Sequence, residues 1–169
     1  ELPLKALAVA ITLLILSLSH NGLWNRPYRQ APLAAQTIRI DTPGPLRGLT
    51  VDPVVARLSL ELSQMTDSLG STSRPYVVAL DGAPGLVLLA GGRTPGIPWL
   101  YTGIPANTVN AIQNACVDLD APVILFSEHT PLPEFVVEAI DTGCRDRDWR
   151  QMGQLQVPDG RVFSTFVAG

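Results

Sequence analysis

The hydrophobic pattern divides the chain into an apolar leader and a longer stretch patterned like a folded domain. The leader runs from Ala6 to Trp24 and carries no formal charge when His20 is neutral. As a helix rising ~1.5 Å per residue it would reach about 28 Å, close to the thickness of a bilayer's hydrocarbon core. We therefore predict a transmembrane helix over residues 1–24, a linker over residues 25–46 and an α/β domain over residues 47–169.

Two other interpretations of the leader stay open. A secretory signal peptide has a basic start, a short apolar run and small residues near its end, and Lys5, Ala6–Leu16 and Ser17–Ser19 follow that order. The most apolar part is also short for a membrane span, which would suit a helix buried in a protein core. For a transmembrane helix, Trp24 and Tyr28 would lie in the interfacial aromatic belt.

The clearest helix of the remaining chain follows Asp52. The Asp52 carboxylate can accept hydrogen bonds from free amides of the first turn, and Pro53 suits the first helical position because its missing N–H costs nothing there. Apolar residues then recur at steps of three and four as far as Leu69. We expect this helix to end at Gly70.

Further helices are predicted from their cap and stop residues. Asn107 would cap a helix that runs to about Val117, and Thr130-Pro131 would open one that ends at Gly143. A short helix from Leu86 to Ala90 lies between two turns rich in glycine.

Two uniformly apolar runs, Tyr76–Leu80 and Pro122–Phe126, predict strands buried on both faces of a parallel sheet. A short strand is also predicted at Leu49–Val51. The last two alternating runs are joined by Asp159-Gly160, which predicts an antiparallel hairpin. The alternation of strands and helices then predicts an α/β fold in three layers, with a small, mainly parallel sheet to which the C-terminal β-hairpin adds edge strands.

Charge and composition limit the classes of partner, metal and cofactor that this chain is expected to bind. The formal net charge is −3 and basic residues form no stripe, which argues against nucleic acid as a partner. The chain has only His20 and His129 as histidines and no CxxC pair, so we expect no metal site, and we expect no cofactor. Cys116 and Cys144 would pair as a disulfide in an oxidising compartment or remain two buried thiols, and both stay open.

Candidate chemistry lies after the two buried strands, because open α/β sheets bind ligands beyond the carboxyl ends of their strands. Asp81 follows the first strand, while Ser127, Glu128 and His129 follow the second. A small hydrolase would need the side chains of Ser127 and His129 within hydrogen-bond reach, with a third group orienting the imidazole. Three consecutive residues do not normally provide that arrangement, and no GxSxG motif is present.

The Gly-rich segment over residues 82–96 lacks the Gly-Lys-Ser/Thr of a phosphate-binding loop and the GxGxxG of a dinucleotide site. We interpret it as a turn, a short helix and a second turn. Its functional interpretation centres on Arg93, which suits a phosphate or carboxylate. Together with Asp81 and Trp99, Arg93 forms the expected ligand-binding set. Residues 145–148 alternate in charge and are expected to form a solvated turn.

Two runs, PLRGLTVDPVVARLSLELSQM and YVVALDGAPGLVLLAGGRTPGIPWLY, cover about half of the chain and resemble one region of a known family. The family comprises polytopic membrane glycosyltransferases, which are polyprenyl-phosphate-sugar-dependent and protein-mannosyltransferase-like, with their uncharacterised bacterial relatives. The similar region is their C-terminal, extracytoplasmic domain. The matching positions are Gly48, Val51, Pro53, Pro84, Gly85, Leu86, Leu89, Gly91 or Gly92, and Arg93.

The resemblance implies an α/β domain that follows the last transmembrane helix of a cell-membrane protein and lies outside its catalytic core. The family's catalytic acid lies in an early loop that the matching runs do not include, so no catalytic residue is carried over. The implied function is non-catalytic: the domain would bind an acceptor or a lipid-linked sugar headgroup through Asp81, Arg93 and Trp99.

The partners implied by the resemblance are membrane lipid, the rest of the parent membrane protein and a polyprenyl-phosphate sugar. The residues themselves leave two alternatives. One is an exported, stand-alone binding or adaptor protein, and the other is the small hydrolase that would use Ser127 and His129.

Overall fold

The computed structural model describes residues 2–19, 33–41, 44 and 46–169. Trp24 and Tyr28, and with them the predicted aromatic belt, lie outside the described residues. The helices are α1 (Leu2–Ser19), α2 (Pro53–Ser68), α3 (Pro84–Leu89), α4 (Pro105–Val117) and α5 (Glu134–Gly143), with a short 3-10 helix at Leu33–Ala35. The strands are β1 (Ile38–Arg39), β2 (Thr50–Val51), β3 (Tyr76–Ala79), β4 (Val123–Ser127), β5 (Trp149–Gln156) and β6 (Val162–Ala168).

Four strands form one mixed sheet in the order β3-β4-β6-β5. β3 and β4 are parallel, with Tyr76 beside Val123 and Ala79 beside Phe126. β6 is antiparallel to both β4 and β5. The predicted α/β fold with a C-terminal hairpin is confirmed, but the prediction of a mainly parallel sheet is wrong.

The position of β6 explains this difference. β6 is apolar and buried along most of its length, with Phe163 and Val167 almost fully enclosed, so it occupies an interior place beside β4. β5 is polar and exposed along most of its length and therefore forms the edge. The hairpin thus supplies one interior and one edge strand, where the sequence analysis expected edge strands.

Helices cover both faces of the sheet, which gives three layers. The core on the side of α2 and α3 includes Leu58, Leu62, Val77, Ala79, Leu86, Ile124, Phe126, Phe163 and Val167. The core on the side of α4 and α5 includes Val78, Leu80, Ala111, Ile112, Ala115, Cys116, Val123, Leu125, Val136 and Ala139. Successive strand residues thus point to opposite cores, which is why both parallel strands are apolar throughout.

α2 forms as the sequence predicts. Asp52 Oδ1 accepts hydrogen bonds from the backbone amides of Val54 at 2.9 Å and Val55 at 3.1 Å. Pro53 is the first helical residue, and Gly70 follows the helix with a positive φ of 64°. A side-chain cap at the start and a left-handed glycine at the end therefore define this helix.

The predicted first residues of α4 and α5 are wrong, because a proline determines where each helix begins. α4 begins at Pro105, ahead of the predicted cap Asn107, since proline at the first position already has a helical φ and needs no N–H partner. α5 begins after Pro133, not at Thr130-Pro131. Leu132 precedes a proline, and such a residue is pushed away from the helical region, so the helix starts only beyond it.

The predicted strand around Thr50 forms, but it lies outside the main sheet. β2 pairs with β1 in a separate two-stranded ribbon, in which Ile38 faces Val51. Ile40 and Leu46 are buried beside this ribbon. The described part of the predicted linker thus carries a strand and contributes apolar side chains to the fold.

α1 is exposed along the part of it whose side chains are described. The large apolar side chains from Val9 to Leu18 are between 48% and 63% exposed. Within the described ranges, no helix is found that has both the length and the apolar character required to cross a membrane. The predicted transmembrane helix is therefore not found there.

A disulfide joins Cys116, in the last turn of α4, to Cys144, which directly follows α5. The two Cα atoms are 5.3 Å apart, and both residues are buried in the core on that face. The bond closes a loop that contains β4 and α5, with a sequence separation of 28. It therefore ties together the two helices that cover one side of the sheet.

We expect the double variant Cys116→Ala/Cys144→Ala to lose about 3–4 kcal/mol of unfolding free energy, because a cross-link of this span restricts the unfolded chain. Urea unfolding of oxidised protein measures the loss. As a control, dithiothreitol should lower the urea midpoint of the wild type and leave the midpoint of the double variant unchanged. A wild-type midpoint that does not respond to reductant would contradict the cross-link.

Candidate functional site

Asp81 lies at the carboxyl end of β3 and turns back toward β4. Its φ is +61°, a left-handed value that is uncommon for residues other than glycine, and Gly82 follows with +69°. The turn brings Asp81 Oδ2 to 3.1 Å from the backbone amide of Glu128, which donates a hydrogen bond to it. One carboxylate thus connects the ends of the two parallel strands.

The other oxygen of the Asp81 carboxylate faces two side chains. Oδ1 accepts a hydrogen bond from Thr102 Oγ1 at 3.0 Å, and His129 Nε2 lies 3.6 Å from the same oxygen. The Asp81 side chain is 11% exposed, whereas that of His129 is 52% exposed. The imidazole is therefore accessible beside a largely buried acceptor and pairs with it when protonated.

Arg161 brings the hairpin into the same cluster. Its Nη1 donates to Glu128 Oε1 at 2.7 Å and to the Asp81 carbonyl oxygen at 2.9 Å. Its Nε donates to Asp159 Oδ2 at 2.7 Å. The guanidinium thus joins the turn between β5 and β6 to the residues that follow β3 and β4. We call Asp81, Glu128, His129, Asp159 and Arg161 the Asp81 cluster.

The Asp81 cluster carries a net negative charge when His129 is neutral, because it contains three carboxylates and one guanidinium. Its free hydrogen-bonding capacity consists mainly of carboxylate oxygens, which accept hydrogen bonds. A phosphate group would be repelled by these carboxylates. Over the described residues, no group of three or more His, Cys, Asp or Glu is arranged to hold a metal ion.

An aromatic ring borders the cluster at Gly82. A Cβ atom at this position would lie 2.7 Å from Tyr101 Cε1, so the ring packs directly on the glycine backbone. The Gly82 amide donates to the Leu100 carbonyl at 2.9 Å, which fixes the loop that carries the ring. Tyr101 is 47% exposed and Trp99, on the same loop, is 57% exposed. Apolar ring surface is thus available beside the polar cluster.

A cavity of about 220 Å³ continues from the cluster between residues 82–86 and residues 157–161. Leu58 and Leu89 contribute apolar surface to it, and Asp159 and Arg161 contribute polar surface. The cavity therefore offers an apolar wall, one carboxylate and one guanidinium beside the rest of the Asp81 cluster.

The ion pair in the hairpin turn changes the titration of both partners. Burial raises the pKa of Asp159, but the hydrogen bonds and charge of Arg161 outweigh burial and hold that pKa below its usual value. Burial lowers the pKa of Arg161, while the hydrogen bonds to Asp159 and Glu128 raise it and prevail. Both charged forms are therefore favoured in the folded state.

The structure does not bring Arg93 to Asp81. Arg93 pairs through its backbone with the start of β3, next to Tyr76, at the opposite end of the strand. Its Nη2 lies 2.6 Å from Asp118 Oδ2, and its guanidinium stacks 3.9 Å from the centre of the Tyr76 ring. Gly92 permits this approach, since a Cβ there would lie 2.2 Å from a Val77 methyl group. Of the expected set, Trp99 lies on the loop beside the Asp81 cluster and Arg93 does not.

Ser127 and His129 are not arranged as a nucleophile and its base. Ser127 is fully buried, and its Oγ accepts a hydrogen bond from the backbone amide of His129 at 3.0 Å. The imidazole of His129 faces Asp81. The serine hydroxyl therefore shapes the turn after β4 and is shielded from any substrate.

The expectation of a solvated turn over residues 145–148 is wrong for Arg147, which is buried. Its Nη1 donates to the Ala121 carbonyl at 3.0 Å, and its Nη2 donates to the Asp118 carbonyl. Burial lowers the pKa of Arg147, and the charge of Asp118 partly offsets that effect. The carbonyls at the end of a helix need donors, and Arg147 supplies them beyond α4.

Sequence reasoning missed Thr102 and Arg161 as members of the site. Both reach Asp81 across long stretches of chain, and no local motif surrounds either residue. The place of Glu128 and His129 after a buried strand, by contrast, predicts their position at the ligand-binding edge. Comparison with protein-family models, curated proteins and solved structures finds no match to this chain.

We expect acid to weaken the fold through Asp159. Its pKa is lower in the folded state than its ordinary value of 3.8, so its stabilising contribution is present above that value and is lost as the pH falls through the folded pKa. Asp159→Asn removes the contribution, which for an ion pair this exposed is about 1 kcal/mol or less.

Urea unfolding at pH values from neutral to strongly acidic measures this effect, with the exposed Asp148→Asn as the matched control. The unfolding free energies of wild type and Asp159→Asn should differ at neutral pH and converge in acid. A difference that stays constant over the whole range would contradict the assignment.

Proposed function

We propose that this chain is an accessory, non-catalytic domain of a multi-span, glycosyltransferase-like protein of the cell membrane. In this proposal the Asp81 cluster binds the hydroxyl-rich part of that protein's acceptor. The observation that carries the proposal is the convergence of Asp81, Glu128 and His129 at the carboxyl edge of the parallel strands. Ligands of open α/β sheets bind at this edge.

The chemistry of the cluster fits a neutral, hydroxylated ligand. Carboxylate oxygens accept strong, charge-assisted hydrogen bonds from hydroxyl groups. The exposed ring of Tyr101 offers an apolar face to the C–H side of a sugar ring. A few polar groups beside an apolar wall are typical of small-molecule sites.

The sign of the charge favours an acceptor sugar over a lipid-linked sugar headgroup. A polyprenyl-phosphate sugar carries negative phosphate, which the carboxylates of Asp81, Glu128 and Asp159 would repel. Arg161 offsets only one of these three charges, and its Nη1 and Nε already donate to Glu128 and Asp159. The burial of Ser127 supports a binding role over a hydrolase.

Two observations support the proposed location of this domain, which is outside the cytoplasm and next to the membrane. The side chains of α1 from Val9 to Leu18 are all exposed and, apart from Thr12 and Ser17, apolar, and a helix that is apolar over most of its surface suits lipid or the interior of a larger protein. We therefore propose that α1 packs against lipid and the membrane-embedded part of the parent protein. The disulfide between Cys116 and Cys144 suits an oxidising compartment.

Titration of isotope-labelled full-length chain with maltose tests the site, with the amide resonances of Gly82 and Glu128 as the readout. We expect Asp81→Asn to raise the dissociation constant about tenfold, equivalent to one charge-assisted hydrogen bond. Asparagine tolerates a positive φ, so the turn itself is retained.

The control for this titration is Arg93→Gln, which alters the opposite end of β3 and should leave the maltose affinity unchanged. Farnesyl phosphate serves as the competing probe and should bind at these amides more weakly than maltose. The proposal fails if maltose does not move these resonances, if Arg93→Gln weakens binding as much as Asp81→Asn, or if farnesyl phosphate binds there more tightly.

A further inference from the structure

A second cavity, of about 240 Å³, lies between α2, the loop that follows it and the end of α3. One wall is formed by hydroxyl side chains, which are Ser59, Ser63, Thr66, Ser71, Thr72 and Ser73. The other wall is apolar and includes Ile40, Leu46 and Leu89. We propose that this cavity binds a small, neutral, polyhydroxylated molecule the size of one sugar ring, independently of the Asp81 cluster.

Ser59 is the side chain that most strongly indicates a bound ligand. It is only 8% exposed and lines the cavity, and its hydroxyl makes no hydrogen bond to any residue that the structure describes. Its oxygen is not among the described side-chain atoms that are fully buried without a partner, so it retains accessible surface. The free hydroxyl of Ser59 is therefore available to a polar group inside the cavity.

Some of the other hydroxyl groups on this wall already make hydrogen bonds within the protein, and some do not. Thr66 Oγ1 donates to the Leu62 carbonyl, and Ser71 Oγ accepts from the backbone amide of Ser73. The hydroxyls of Ser63, Thr72 and Ser73, like that of Ser59, make no hydrogen bond within the described part of the chain. The cavity thus presents four uncommitted hydroxyl groups, each of which can both donate and accept.

The charges of the cavity favour a neutral ligand. Asp67 and Arg74 both line it and balance each other. The Nε of Arg74 donates to the Gly91 carbonyl at 3.0 Å, and its Nη2 donates to the Gly92 carbonyl at 3.1 Å. Two nitrogen atoms of the guanidinium are therefore committed to carbonyls just after α3, and the charge of Asp67 in the same lining opposes the binding of a phosphate or carboxylate.

Hydroxyl groups that both donate and accept are the complement of a polyol, whose own hydroxyls do the same. The apolar wall suits the C–H face of a sugar ring. The volume lies below the range of about 300–1,000 Å³ that is usual for larger ligands, which limits the occupant to about one ring. This site goes beyond the proposed function, since none of its polar side chains belongs to the Asp81 cluster.

Titration of labelled full-length chain with D-glucose at millimolar concentrations tests the proposal, read at the amides of Ser59, Ser63 and Gly91. Loss of one hydrogen bond in Ser59→Ala should raise the dissociation constant about fivefold. Ser63→Leu fills the cavity and should abolish binding. Ser68→Ala is the matched control, because Ser68 is exposed on the same helix and its hydroxyl donates to the Met65 carbonyl.

The inference is supported if Ser59→Ala weakens binding, Ser68→Ala does not, and Asp81→Asn leaves these three resonances responsive to glucose. Because Asp81 belongs to the other site, the result with Asp81→Asn also shows whether this cavity binds glucose independently of the proposed function. The inference is overturned if glucose leaves the three amides unmoved, if Ser68→Ala weakens binding equally, or if inorganic phosphate binds there more tightly than glucose. Unchanged circular dichroism of each variant verifies that it is folded.

Discussion

The parallel pairing of β3 with β4 is the constraint on which the rest of the structure depends. Both strands are buried on both faces, so their register is fixed by two cores at once. The pairing continues past β3, where the Leu80 amide donates to the Phe126 carbonyl at 2.9 Å. The residues that follow the strands must therefore emerge side by side, and the Asp81 carboxylate accepts its hydrogen bond from the Glu128 amide for this reason.

The two ends of this strand pair have different roles. At the starting end, Arg93 and Arg147 bond to Asp118, so their charges stabilise the fold. At the carboxyl end, the largely buried Asp81 carboxylate and the partly exposed Glu128 carboxylate lie beside an accessible imidazole. The difference arises because the starting end contains the terminus of α4, whose carbonyls require donors, whereas the carboxyl end contains turns that expose side chains.

The sequence predicts the elements of this fold better than their assembly. Periodicity and local caps predict α2, both apolar strands and the hairpin, because these signals act within a few residues. The place of β6 in the sheet depends on which strands it pairs with, and the local sequence pattern of β6 does not encode its partners. The same holds for the site: Arg161 reaches the Asp81 carbonyl across 80 residues of chain, and Arg93 is held at the far end of β3 because Gly92 admits close contact with Val77.

The most direct test of the central claim is a crystal structure of the full chain with maltose bound. The account predicts sugar hydroxyls within hydrogen-bond distance of the Asp81 or Glu128 carboxylate and a sugar ring against Tyr101. Maltose bound beside Arg93 and Asp118, at the opposite end of the parallel strands, would contradict it.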